Sequence, residues 1–161
     1  MASEFFVTVE GTRQGRFSGE AVRAAHEDKL TGISFHYGVQ SPRDAASGVA
    51  RGRRTHDPVT FVKEWGASSP QFFTALCTNE SLTSVLFEFV KPDENGEEHV
   101  FHTITLTNAN VSEIEQYVEE DSAPGDPHEP RPLERISLMF QRIELENKDG
   151  NTSAVDDARQ R

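Results

Sequence analysis

Hydrophobic and polar residues alternate over several short runs of this chain, and a spacing of two is typical of strands with one buried face. The first run covers residues 5–9, a second covers residues 30–39, and a third covers residues 58–62. Gly32 and Gly38 in the second run predict bends. These runs predict that the first half of the chain is built mainly from strands.

Longer strands are predicted in the second half of the chain. Residues 82–90 and 100–111 each gather apolar side chains on one face, and an Asn-Gly dipeptide between them favours a hairpin turn. Residues 134–146 also alternate, but their apolar face changes sides near Arg142, which predicts a bend or a bulge. A strand that contributes to two sheets would have this pattern.

One segment has the period of a helix. Ser68-Ser69-Pro70 predicts a helix start, because a serine hydroxyl can accept a bond from a free amide and proline at the first helical position loses none. The apolar positions that follow have i, i+4 spacing and predict one face that covers a sheet: Phe72, Phe73, Leu76 and Cys77. We therefore predict one short flanking α-helix over about residues 70–79.

Four segments lack both periods. Residues 41–55 are rich in Ser, Gly, Ala and Arg and predict a long, extended and mobile loop. Residues 18–29 lack a wide apolar face and are assigned to loop, and residues 119–133 contain four prolines, which exclude a central strand. The residues from about 150 are polar and predict a tail that frays.

The length of 161 residues fits one domain, so we predict a single β-rich domain over residues 1–161. A domain of this size buries roughly 70% of the surface that its unfolded chain exposes, which is enough for a core without disulfides. Cys77 is the single cysteine. Its position on the predicted apolar helix face favours a buried side chain over a nucleophile.

The formal net charge of −11 disfavours nucleic acid and anionic membranes as partners. The charge is uneven, since residues 41–54 hold four arginines and one aspartate, whereas residues 113–129 hold seven acids and no lysine or arginine. This segregation suits docking between copies, although charge clusters are more often solvated loops. The basic loop also lacks an aromatic residue that would stack on bases, which favours a protein partner.

The motifs indicate no enzyme, metal or cofactor site. His99 and His102 are an odd number of positions apart on a predicted strand, so they point to opposite faces and cannot share a metal there. A Gly-x-Ser-x-Gly nucleophile motif is absent, and residues 48–52 lack the ending of a phosphate-binding loop. No apolar run approaches the ~20 residues that cross a bilayer, and the start lacks a signal-peptide pattern, which predicts a cytosolic product.

Residues 52–73 join the basic loop, a strand and the helix start. In this window the runs Thr-His-x-Pro, Lys-Glu-Trp and Ser-Ser-Pro resemble the haemolysin-coregulated protein (Hcp) family, which forms the inner tube of bacterial type VI secretion systems. The resemblance extends from the opening EFFVTVEG to the late strand ERISLMFQRIELENKDG, so it covers most of the chain. Residues 18–29 and 123–132 do not align with the family.

The resemblance implies a two-sheet β-barrel with a helix at its side, six copies of which join into a ring. Rings would stack into a hollow tube that a contracting sheath expels, so the protein would be made in the bacterial cytoplasm and leave without a signal peptide. The implied partners are further copies, sheath, spike and baseplate proteins, and effector cargo in the lumen. A polar strand face such as Thr103, Thr105 and Thr107 is an example of a lumen lining.

The resemblance further implies that the loop at about 41–55 contacts the next ring. This gives a ring-stacking role to four residues, which we expect to pair with carboxylates there: Arg43, Arg51, Arg53 and Arg54. Two alternatives remain open. One is a tail-tube protein of another phage-like contractile device, and the other is a monomeric β-barrel binding module or enzyme, which would have a concave apolar pocket.

Overall fold

The computed structural model describes residues 4–21, 26–119 and 130–159, and within them the chain forms eleven strands and one helix. In chain order the elements are β1 (Glu4–Gly11), β2 (Gly15–Arg16), β3 (Leu30–Gly32), β4 (Ser34–His36), β5 (Val39–Gln40), β6 (Thr55–His56), β7 (Val59–Glu64), α1 (Ser69–Cys77), β8 (Leu82–Pro92), β9 (Glu98–Val118), β10 (Pro132–Asn147) and β11 (Thr152–Asp157). The predicted fold class, mainly β with two sheets and one short helix, is confirmed.

Nine of the described strands form one antiparallel sheet, whose main path is β2-β1-β8-β9-β10-β7-β4. The short strands β5 and β6 form a second sheet by pairing with each other. β3 and β4 belong to one segment that pairs with β1 at its start and with β7 at its end. This segment connects the two ends of the curled sheet. Among the described strands β1 and β7 do not pair directly, and the segment that contains β3 and β4 lies between them.

The predicted strand over residues 30–39 is divided into β3, β4 and β5. Gly32 pairs with Phe5 and lies against its ring, where a Cβ would overlap the ring carbons. At the next residue the segment leaves β1, and the Ile33 amide donates to the Val62 carbonyl of β7 at 2.8 Å. The change of partner explains why one continuous strand does not form.

The long strands β9 and β10 are shared by two parts of the sheet. β9 pairs with β10 on one side, and on its other side it pairs with β8 as far as Ala109. On the side away from β9, β10 pairs with β7 over residues 133–138 and with β11 over residues 142–147. The buried side of β10 includes Phe140 and, after a change of phase, Ile143. The predicted change of face near Arg142 is therefore confirmed, and it falls where β10 exchanges one neighbour for another.

Aromatic side chains fill much of the barrel interior. The Phe61 ring meets Phe87 edge to face with centroids 5.5 Å apart, and it meets Phe72 of α1 at 6.0 Å. Edge-to-face contact brings the positive ring edge onto the negative ring face and is favourable beyond the burial of area. The helix therefore covers the core through Phe72.

The helix has the predicted position but a different apolar face. Its buried residues are Ser69, Phe72 and Ala75, whereas Phe73 is 63% exposed and Cys77 is also exposed. At 3.6 residues per turn, an i, i+3 series faces the barrel and the Phe73–Cys77 pair is rotated away from it. The prediction that Cys77 is buried was wrong.

The predicted fraying tail was also wrong, because residues 152–157 form β11 and pair with β10. The turn before it is closed by the Gly150 amide, which donates to the Asn147 side chain at 2.7 Å. Two other predicted loops lie partly outside the described residues. These are the segments 18–29, of which 22–25 are not described, and 119–133, of which 120–129 are not described. The exclusion of a central strand from the second segment was wrong at its end, because β10 begins at Pro132 and Leu133 pairs with both β7 and β9.

Candidate functional site

The arm is the segment of residues 41–54, and its two ends are joined where β5 pairs with β6. Within the arm, the Arg51 amide donates to the Pro42 carbonyl at 2.7 Å, and the Asp44 amide donates to the Val49 carbonyl at 2.9 Å. The predicted extended loop is therefore a narrow hairpin with cross-strand backbone bonds.

The tip of the arm is organised by Asp44. Its carboxylate accepts the Ala46 amide at 2.7 Å, and its carbonyl accepts the Gly48 amide at 2.8 Å. Gly48 has φ +71°, which residues with a side chain rarely adopt. This turn presents Val49 with 63% of its surface exposed.

The structure divides the four predicted stacking arginines into two pairs. Arg43 and Arg51 are exposed, and neither forms an ion pair with another described residue. The backbone of Arg43 bridges to Ala50, so its position in the hairpin is fixed. Arg53 and Arg54 instead contact the C-terminal part of the same chain.

Arg54 forms a bidentate ion pair with Asp156 at the end of β11. Its Nε donates to Asp156 Oδ2 at 2.5 Å, and its Nη2 donates to Oδ1 at 2.6 Å and to the Asp157 carbonyl at 3.0 Å. Parallel bonds of this kind fix direction as well as distance. The Arg54 hydrogen bond holds the pKa of Asp156 below its ordinary value, against a smaller opposing effect of burial, and raises the pKa of Arg54 itself.

Arg53, His56 and Tyr37 extend this contact. Arg53 Nη2 donates to the carbonyls of residues 158 and 159 at 3.3 and 3.0 Å. His56 Nε2 lies 2.6 Å from Asp156 Oδ2, and its Nδ1 lies 2.7 Å from the Tyr37 hydroxyl. Burial, with the nearby charge of Asp156, raises the pKa of Tyr37. Both ends of the arm are thus linked to the Asp156 carboxylate, one directly through Arg54 and His56 and the other through the contact of Tyr37 with His56.

A buried ionic cluster lies at the other end of β7, where the Lys-Glu-Trp and Ser-Ser-Pro runs meet Glu134 of β10. Lys63 is 1% exposed and its Nζ lies 2.7 Å from Oε1 of Glu134, which is fully buried. Ser69 donates to the same Oε1 at 2.8 Å, and Gln116 donates to Oε2 at 3.1 Å. Buried charges are tolerated when they are paired and hydrogen-bonded in this way.

Sequence reasoning missed this cluster, although the alternation contains its signal. Lys63 has the strand phase of Val59 and Phe61, and Glu134 has the phase of Ile136 and Leu138. A charged residue in phase with buried positions indicates either a strand end or a buried partner. Here each strand supplies the partner of the other.

Glu20, and not a serine hydroxyl, satisfies the start of α1. The Ser68 side chain makes no cap bond, and its hydroxyl and amide both donate to Glu20 Oε1, at 2.9 and 3.3 Å. Gly66 leaves room for this carboxylate, because a Cβ there would overlap it. The predicted serine cap was therefore wrong, and an acid near the positive end of the helix takes its place.

Trp65 and Ile33 form a partly apolar groove near the buried cluster. They are 45% and 41% exposed, and the Trp65 indole donates to the Leu133 carbonyl at 2.7 Å. With Glu64 and Arg131 they line a cavity of about 290 Å³. The groove is mixed in polarity and open to solvent.

The described residues contain no group of three or more His, Cys, Asp or Glu side chains that is arranged to hold a metal ion. His99 contacts Asp149 at 2.9 Å, whereas His102 lies beside Phe89, so the two histidines do not meet. In the same described part of the chain, no helix has the length and apolar character needed to span a membrane.

The three threonines of the predicted lumen face lie on β9, opposite in direction to Ile104 and Leu106. Thr103 is buried with 8% exposure, and Thr105 and Thr107 are half-buried. Their place in a lumen stays a prediction.

Comparison with known proteins gives consistent matches over nearly the whole chain. A family model described as "Type VI secretion system effector, Hcp" matches residues 6–146. The "Major exported protein" of Pseudomonas aeruginosa is 29% identical over 168 residues, which cover 99% of this chain and 97% of that protein.

Solved structures agree with the family match. A crystal structure of an Hcp protein has a TM-score of 0.90 at 26% identity and covers 99% of this chain and 100% of the other. The secreted protein Hcp3 from Pseudomonas aeruginosa has a TM-score of 0.80 at 23% identity, with the same coverage. The latter likeness shows the fold alone.

Proposed function

The chain belongs to the Hcp family of type VI secretion system proteins, and from this premise we propose that it is the structural subunit of a secretion tube. Six copies form a ring, and rings stack into a hollow tube that a contracting sheath expels. The family match over residues 6–146 carries this proposal, and it favours a type VI system over another contractile device. The barrel fold supports it, because the arm and the exposed strand edges offer contacts to sibling copies.

The arm is the proposed contact between rings, and the four predicted stacking residues take different parts in it: Arg43 and Arg51 meet carboxylates of the next ring, and Arg53 and Arg54 hold the base of the arm. Charge distribution supports this role. Described residues of the acidic stretch, such as Glu115 and Glu119, are exposed near the start of β10. The base of the arm lies near Arg142 instead, because Arg54 contacts Asp157, which pairs with Arg142. Glu115 lies opposite Arg135 and the Glu119 amide donates to the Arg131 carbonyl, so they are seven and eleven residues from Arg142, roughly 24 and 37 Å along an extended strand. A basic projection and a distant acidic surface on one copy suit a head-to-tail contact.

Secretion without catalysis is part of the proposal. We expect synthesis in the bacterial cytoplasm, partnership with sheath, spike and baseplate proteins, and carriage of separate effectors in the lumen. The Pseudomonas aeruginosa relative is named a major exported protein, which supports export. Export that persists in cells whose sheath cannot contract would contradict this part of the proposal.

Native mass spectrometry and light scattering across a salt series test the assembly. Because exposed charges are screened over about 8 Å at physiological ionic strength, stacks should loosen as salt rises while rings persist. The double variant Arg43→Glu/Arg51→Glu should retain rings and lose stacks. Arg13→Glu/Lys148→Glu makes the same change of charge on exposed residues outside the arm and is the matched control. A protein that remains monomeric at every concentration would contradict the ring.

A further inference from the structure

We infer that β11 is a clamp that sets the direction of the arm, with Asp156 as its positioning residue. In this arrangement the arm has two parts with different tasks. Arg53 and Arg54 hold the arm to the barrel, and Arg43 and Arg51 remain exposed for a contact outside the chain. The consequence for ring stacking rests on the proposed function, whereas the clamp itself is a property of the single chain.

Asp156 is the centre of the clamp because three side-chain nitrogens converge on it. Two come from Arg54 and the third is Nε2 of His56, all within 2.6 Å. The Arg53 guanidinium meets main-chain carbonyls just beyond β11 at 3.0 and 3.3 Å. Both guanidinium groups are therefore engaged within their own chain, which leaves them poorly suited to pair with carboxylates of a neighbouring ring.

The arm needs such a clamp because its own attachment is weak. The sheet at its base has two residue pairs, Val39 with His56 and Gln40 with Thr55. A two-stranded sheet of this length is at best marginally stable in water. Tyr37 and His56 also pack on Phe140 at the base, with ring centroids 6.0 and 5.5 Å apart, and the contacts to β11 add the direction that this short pairing does not fix.

β11 depends on the same contacts in return. It is an edge strand among the described elements, and four of its six residues are exposed, including Val155 at 53%. Little apolar area holds it in place, so burial contributes little to its docking. Its two half-buried residues are Asp156 and Asp157, which are the ones that Arg54 contacts. The arm and the strand therefore order each other.

The location of the clamp fits this function. β7 begins opposite Leu138 of β10, and β11 ends opposite Arg142. The base of the arm lies between the start of β7 and the end of β11. Just after β11, the Ala158 amide donates to the Gln141 carbonyl of β10 at 2.7 Å. The Asp156 carboxylate therefore holds the base of the arm, where a small change of angle produces a large displacement of the tip.

Limited trypsin digestion tests the clamp, because trypsin cleaves after arginine and the arm contains four arginines. We expect the full-length protein, held as dispersed rings in high salt, to be cleaved first after Arg43 and Arg51. Asp156→Asn should speed cleavage after Arg53 and Arg54 by tenfold or more, with cleavage after Arg43 unchanged. Hydrogen exchange in residues 152–157 should accelerate in the same variant.

Asp149→Asn is the matched control, because Asp149, with 41% of its side chain exposed, likewise contacts one cation, Lys91, and one histidine, His99, away from the arm. It should leave the arm cleavage pattern unchanged. If Asp156→Asn does not fold, Arg54→Lys keeps the charge and loses the bidentate geometry, so it gives the same readout. A cleavage and exchange pattern like wild type in a folded Asp156→Asn protein overturns the clamp.

Tube formation separates this inference from the proposed function. Faster cleavage together with intact rings and shortened or absent stacks supports the positioning role. Faster cleavage with stacks of normal length overturns that role and leaves the tube proposal standing. A wild-type chain that forms no rings overturns the tube proposal, and the cleavage assay still measures the clamp.

Discussion

Two ion pairs, one between β7 and β10 and one between the arm and β11, differ in burial far more than in distance. Lys63 and Glu134 lie 2.7 Å apart with 1% and 0% of their side chains exposed. Arg54 and Asp156 lie 2.5 Å apart with 29% and 34% exposed. The comparison shows that the same chemistry can stabilise a barrel in one place and orient a surface arm in another.

The difference follows from the solvent around each pair. Removing charges from water is costly, and the Lys63–Glu134 pair offsets that cost with added bonds from Ser69, Gln116 and the Glu64 carbonyl. The Arg54–Asp156 pair remains in contact with water, which screens its attraction. Its main contribution is therefore geometric. The bidentate contact fixes the direction of the arm relative to β11, which the few backbone hydrogen bonds between β5 and β6 do not fix.

Removal of Lys63 should have the largest effect. Lys63→Met leaves the Glu134 carboxylate buried without its counter-charge, and we expect a loss of about 3–5 kcal/mol in the free energy of unfolding, measured by urea denaturation. Lys63→Met/Glu134→Leu removes both charges and should lose less than the single variant. A double variant as unstable as Lys63→Met, or a single variant within 1 kcal/mol of wild type, would contradict the uncompensated-charge explanation.

The next largest effect is expected from Ser69→Ala. This change removes one donor from Glu134 and leaves the Gly66 amide without the Ser69 oxygen that it contacts at 3.0 Å. We expect a loss of about 1–3 kcal/mol in the free energy of unfolding. Thr74→Ala on the exposed face of the same helix is the control, and an equal loss in both variants would argue against a specific role for the buried hydroxyl.

A smaller effect should follow from Arg131→Ala. Arg131 lies 2.8 Å from Glu64, nearly the distance of the buried pair, but the two side chains are 46% and 59% exposed. We expect the free energy of unfolding to change by about 0–1 kcal/mol. A loss close to that of Lys63→Met would show that distance, and not burial, determines the strength of these pairs.

Protonation of Asp156 should have the smallest effect on unfolding and a local effect on the clamp. The Arg54 hydrogen bond lowers the pKa of Asp156 from its ordinary 3.8, so the contact is fully present above that value and is lost as the pH falls through the lower folded value. We expect hydrogen exchange in β11, corrected for intrinsic rates, to be steady from pH 7 to about 4 and to accelerate below. Acceleration centred above pH 5 would assign the clamp to another group.

Local patterns in the sequence predicted the strands well because alternation and turn chemistry act within a few residues. The Asn-Gly turn is confirmed between β8 and β9, where Gly96 has φ +82°. The helix was located by Pro70, yet its buried face was misjudged at Phe73 and Cys77. Periodicity marks apolar neighbours on a helix, but it does not tell which of two overlapping stripes the barrel will cover.

The candidate site was predicted in outline and not in detail. Composition marked the arm as basic, and the four arginines were assigned one shared task. The structure instead joins Arg54 to Asp156 across 102 positions of sequence, and Ser69 to Glu134 across 65. Contacts between such distant residues leave no periodic trace in a single sequence, so the tail was predicted to fray and the buried cluster went unseen.

By itself the sequence determined the β-rich class, the single helix, the basic arm and the resemblance to the Hcp family, because each depends on residues that are neighbours in the chain. Tertiary structure alone decided which charges became buried, which arginines were engaged, and whether residues 152–157 formed a strand. The physical reason is that solvation and pairing of a charge depend on what the folded chain brings beside it. The two ion pairs differ in environment because the fold buries Lys63 and Glu134 and leaves Arg54 and Asp156 in contact with water.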